Sequence, residues 1–92
     1  MTGYRIRNLS GIPNIQCFVS SYNGGNDEWY TLPTDYCDPH KCHWSRSNWE
    51  MVVFKNPANG ERRGWYLNSA QQTLELTFVG FSQELGIVRN AA

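Results

Sequence analysis

The sequence predicts an all-β fold, a small antiparallel β-sandwich or barrel-like single domain spanning residues 1–92. Three observations predict it. Turn-forming residues recur at short spacing: Ser10-Gly11, the run from Asn23 to Asp27, Pro33, Asp38-Pro39, Asn56-Pro57 with Asn59-Gly60, Asn68-Ser69 and Gly80. The runs between them are short and rich in Val, Ile, Thr and aromatic residues, which suit a pleated, half-buried surface. No run of helical length carries a clean 3.6-residue apolar period.

The first element, Tyr4–Asn8, alternates, with Tyr4 and Ile6 on one face and Arg5 and Arg7 on the other. Ile15–Ser21 places Ile15, Cys17 and Val19 together, and Glu28–Leu32 follows the glycine turn. His43–Arg46 is short. In Trp49–Lys55, Trp49, Met51 and Val53 point one way and Val52 and Phe54 the other. That strand is either central and covered on both sides, or half of its surface meets another subunit. Gly64–Leu67 closes a hairpin with it. Thr73–Val79 directs Leu74, Leu76 and Phe78 inward, and Glu84–Val88 is the last strand. Strands with one polar face suit antiparallel sheets.

Lys plus Arg number 8 and Asp plus Glu number 8, for a formal net charge of zero. A chain that wraps phosphates carries a basic excess, so nucleic acid is not expected as a partner, nor is electrostatic docking to an anionic membrane. Near-zero charge leaves little repulsion between copies, which favours self-association. No apolar run approaches the length of a membrane helix. MTGYRIRNLS has no apolar signal core, so the expected location is the cytoplasm, or outside after release without such a signal.

The densest chemical cluster is Cys37-Asp38-Pro39-His40-Lys41-Cys42-His43. Cys37, His40, Cys42 and His43 are zinc-ligand types, but a tetrahedron is hard to close within so short a run. A Cys37–Cys42 disulfide pinning an exposed loop is the simpler reading, with Pro39 helping the turn. Cys17 is then a free, buried thiol, although a bridge from Cys17 to either partner stays open. A Cys–His nucleophile needs an orienting group and an oxyanion site, and no signature supplies them. A domain of this size also encloses a substrate poorly, so neither catalysis nor a cofactor is expected.

Four tryptophans, Trp29, Trp44, Trp49 and Trp65, accompany Tyr22, Tyr30, Tyr36 and Tyr66. For any single ring a core position is the simple reading, yet four seldom fit inside so small a core. HWSRSNWE adds His43, Ser45, Arg46, Asn48 and Glu50 beside two of them. A pyranose presents a flat C–H face to an aromatic ring and hydroxyls to planar donors and acceptors, and this pairing of residue types suits it. The candidate ligand contacts are Asp35, Tyr36, Asp38, His43, Trp44, Arg46, Asn48, Trp49, Arg63 and Trp65. For Arg46 and Glu50 the competing reading is a cross-strand ion pair. Arg62 and Arg63 either stack on Trp65 or guard a sheet edge.

The ordered motifs QCFVSSY, GGNDEWYTL, HWSRSNWEMVVFKN and ERRGWYL resemble a family of small mushroom lectins of the α-galactosyl-binding Lyophyllum decastes type. The resemblance runs from about Tyr4 to Phe78. It implies an all-β lectin that binds galactose-terminated glycans or glycolipids as a dimer, without catalysis or metal. The Trp44, Arg46, Trp49 and Glu50 pattern belongs to the whole family and so implies a structural share. The Cys37–Cys42 loop departs from the general pattern, which makes it a candidate for specificity. The rival expectations are a membrane-active, toxin-like β-protein and a disulfide-loop protein-binding or inhibitor module.

Overall fold

The computed structural model describes residues 2–21, 28–32 and 42–91. These residues form eight strands: β1 Gly3–Asn8, β2 Gln16–Val19, β3 Tyr30–Thr31, β4 His43–Ser45, β5 Trp49–Asn56, β6 Glu61–Asn68, β7 Gln72–Phe78 and β8 Gly86–Ala91. They make two four-stranded sheets, ordered β4-β1-β7-β8 and β3-β2-β5-β6. The fold is all-β, and its two sheets face each other across one core.

The core follows from the two-residue period of a strand. Tyr4 and Ile6 of β1, Cys17 and Val19 of β2, Val52 and Phe54 of β5, and Leu74, Leu76 and Phe78 of β7 are all buried. The Phe54 and Phe78 rings stack between the sheets with centroids 4.4 Å apart. The buried Tyr4 hydroxyl donates to the Leu67 carbonyl at 2.7 Å, which ties the sheets together and satisfies a polar atom the core would otherwise leave bare. Burial raises the Tyr4 pKa.

The strand pairing is antiparallel, as the sequence predicts, with one exception. β1 and β7 run parallel, in register from Gly3↔Thr73 to Asn8↔Phe78. The chain visits the other sheet twice between these strands, and so has the long connection that parallel neighbours need. Alternation reports which face is buried and favours antiparallel sheets, but it does not fix the direction of an individual pair.

Boundaries also move. β3 keeps two residues of the expected Glu28–Leu32. β6 extends to Glu61–Asn68 because the turn at Asn56–Gly60 closes the hairpin tightly enough for every pair from Asn56↔Glu61 to Trp49↔Asn68 to form. In that turn the Asn56 carbonyl accepts from Gly60 N at 2.8 Å, and Gly60 has a φ of 77° that favours glycine. β8 is displaced to Gly86–Ala91, after Leu85 has turned into the core.

Candidate ligand-binding surface

The ten expected contacts do not converge on one place. Asp35, Tyr36 and Asp38 lie outside the described residues, as do Cys37 and His40, and with them the bridge and zinc readings of that loop. Cys42 is buried and is not a free thiol, whereas Cys17 is free and fully buried.

Trp44 and Arg46, expected at a ligand, instead face the interior, each 8 % exposed. Trp44 meets Tyr30 edge-on at 5.7 Å, bridging β4 and β3. Arg46 is held by three carbonyls: Nε donates to Ser20 at 2.8 Å, Nη2 to Val19 at 3.2 Å and Nη1 to Ser45 at 2.8 Å. Ser20 Oγ donates to Glu50 at 2.7 Å and accepts from Met51 N at 2.8 Å. Arg46 and Glu50 are therefore joined through Ser20 in a network that laces β2 and β5 to the segment after β4. A guanidinium suits this place because its fixed fork reaches several carbonyls at once.

Arg63 and Trp65 lie on the inward face of β6. Trp65 packs edge-on against Phe54 at 5.9 Å, and the Arg63 guanidinium lies 4.8 Å from the Trp65 ring centroid. Arg63 Nη1 donates to the Gln83 carbonyl at 2.6 Å and the Phe81 carbonyl at 3.3 Å, and Nη2 lies 3.6 Å from the Glu84 carboxylate. This arginine clasps the segment between β7 and β8 to the edge of the opposite sheet. His43 sits on the outer face of the mixed sheet, opposite Arg5. Its pKa is lowered by burial and by the neighbouring Arg5.

Among the described residues, Trp49 is the expected ring contact that faces solvent. Its side chain is 48 % exposed and stacks on Tyr66, itself 53 % exposed, with centroids 5.1 Å apart and planes 27° from parallel. Asn48 is exposed beside it. The surface extends along the outer face of the antiparallel sheet. Cross-strand pairing sets Met51 beside Tyr66, and Phe18, Val53 and Gly64 in the next row. Lys55 and Arg62 follow. Trp29 covers that end, with its ring 5.5 Å from Phe18, 4.7 Å from Lys55 Nζ and 5.9 Å from the Arg62 guanidinium carbon. Gly64 keeps the middle low: a Cβ there would stand 3.1 Å from Val53 Cγ2 and 3.4 Å from the Met51 sulfur. The result is a shallow apolar floor with an aromatic wall at each end.

Trp29, Lys55, Gly64 and Tyr66 were not among the expected contacts. One signal for them was present in the sequence: β5 carries apolar residues on both faces, so one apolar face is surplus to the core. No family model, curated protein or solved structure matches the chain. The functional reading therefore rests on this surface and on the motif resemblance described above.

Proposed function

We propose that the chain is a lectin that binds galactose-terminated glycans, α-galactosyl ends foremost, without catalysis. The observation that carries this reading is the solvent-facing Trp49–Tyr66 stack. Exposed rings bordered by planar polar groups are what the C–H face of a pyranose requires. The axial 4-hydroxyl of galactose leaves one ring face rich in C–H groups, which stacks on an indole. Asn48 and Asn68 at one end of the floor, and Lys55 and Arg62 at the other, supply donors and acceptors for the hydroxyls. The open floor favours binding over chemistry, because water has free access to it.

The proposal includes a homodimer, whose two shallow sites offset weak single-site affinity through multivalency. It also includes a Cys37–Cys42 bridge, supported by the free state of Cys17 and the engaged state of Cys42. Titration of tryptophan fluorescence with methyl α-galactoside tests the site. A saturable change is expected, reduced at least about tenfold in affinity by Trp49→Ala, the loss of roughly 1.4 kcal/mol of ring contact. Gly64→Leu, which fills the floor, is expected to act likewise. Saturable binding left unchanged by both substitutions rules out this surface, and no binding of any galactoside rules out the ligand.

The same aromatic floor with Lys55 and Arg62 beside Trp29 also suits lipid headgroups, which favours the membrane-active reading as the second one. Leakage from glycan-free vesicles that Trp29→Ala abolishes decides for it.

A further inference from the structure

The outer face of the mixed sheet has its own concavity, on the opposite side of the molecule from the aromatic floor. A cleft of about 250 Å³ opens there between β1 and β7, bounded by Arg5, Arg7, Glu75, Thr77, Val88 and Cys42. Its volume is roughly eight times the share of one water molecule in the liquid, enough for a monosaccharide-sized ligand.

Among the described residues, the charges that line the cleft do not cancel. Arg5 and Arg7 stand two residues apart on one strand face, roughly 7 Å along β1. Glu75 answers one of them: its Oε1 lies 3.0 Å from Arg5 Nη1, and its Oε2 accepts from Asn90 at 3.1 Å. Arg7 has no carboxylate partner among the described residues. Its Nε donates to Thr77 Oγ1 at 3.2 Å, which fixes the plane of the guanidinium and leaves the Nη edge turned away from that bond. A guanidinium held by its Nε is set to present two parallel N–H groups to a carboxylate. Val88, 56 % exposed on the rim, adds an apolar contact for the body of a ligand. His43, beside Arg5, is biased toward its neutral form and adds little charge.

The geometry points to a second ligand site here: the cleft takes a sugar-sized ligand bearing one carboxylate, with Arg7 gripping the carboxylate and Arg5 reinforcing the field. The carboxylate follows from the net positive charge and the oriented guanidinium. The sugar body rests on the carbohydrate reading proposed above.

The test is a ¹H–¹⁵N NMR titration of the full chain with galacturonate, galactose and acetate, each to about 10 mM, a range that still detects weak sites. Galacturonate is expected to shift the amides of Arg5, Arg7, Glu75 and Thr77 saturably, while galactose leaves them in place. Arg7→Gln is expected to weaken this binding at least tenfold, and Arg7→Lys to recover part of it. Retention of the native spectrum shows that each variant is folded. Failure of galactose to move the Trp49 and Tyr66 signals counts against the lectin surface alone and leaves this site standing. Galacturonate shifts that are absent, or unchanged in Arg7→Gln, overturn the site. So does acetate binding as tightly as galacturonate, which marks an adventitious ion only.

Discussion

Arg46→Ala separates a structural arginine from a ligand-binding one. The substitution removes three hydrogen bonds from a charged donor to the Val19, Ser20 and Ser45 carbonyls. It also leaves Ser20 and Glu50 without the cation that their network is built beside. A hydrogen bond from a charged group contributes about 1.5–3 kcal/mol, but bonds from one side chain do not add fully. Breaking a buried charged arrangement costs about 3–5 kcal/mol, and that range applies at a residue 8 % exposed. Total stability for 92 residues is on the order of 5–14 kcal/mol, so about a fifth or more of it is at stake. In a domain of this size 1 kcal/mol moves Tm by about 4–8 °C, so even 3 kcal/mol lowers it by roughly 12–24 °C. Thermal unfolding followed by near-UV circular dichroism reads the shift. Arg46→Lys is expected to recover only part of it, because an ammonium cannot reproduce the planar fork. A Tm within about 2 °C of the parent, accompanied by weaker galactoside binding, refutes the structural assignment and returns Arg46 to the ligand site.

The remaining predictions concern the half-buried His43 and the buried Cys17. Burial first, and Arg5 second, depress the His43 pKa, so the fold favours the neutral ring. Below the ordinary value of 6.5 the unfolded chain binds the proton more readily, so stability falls as pH drops from there to the folded pKa and is flat above it. NMR titration of the ring is expected to show the depressed pKa. Arg5→Gln is expected to raise it, and a His43 pKa at or above the ordinary value counts against this. Cys17 is fully buried and burial pushes its thiol pKa up, so a thiol-alkylating reagent is expected to leave it unmodified in the native protein and to modify it after unfolding. Mass spectrometry distinguishes the two, and prompt native-state alkylation at Cys17 contradicts its place in the core.

Much of the fold was legible because side-chain alternation is local. The inward sets Tyr4/Ile6, Ile15/Cys17/Val19 and Leu74/Leu76/Phe78 follow from a period of two, and each is buried as its pattern requires. The parallel β1–β7 pair was not legible, because pairing direction depends on where the chain has travelled between the strands. The site was less legible than the fold. HWSRSNWE reads as a polar, aromatic surface, yet its residues divide by strand parity and local turns: Trp44, Arg46 and Glu50 go inward, while Trp49 goes out.

From the sequence alone followed the β class, the faces of its main strands, the absence of a basic excess, and apolar residues on both faces of β5. Those properties depend on residue type and two-residue spacing, which no distant contact alters. Tertiary structure decided which tryptophans are core and which meet solvent, and joined Trp49 to Tyr66 and Trp29 to Lys55 across strands. It also set Arg5 and Arg7 against Glu75 and Thr77, partners some seventy residues away along the chain. Register between distant strands creates these surfaces, and register is a property of the assembled sheets rather than of any one segment.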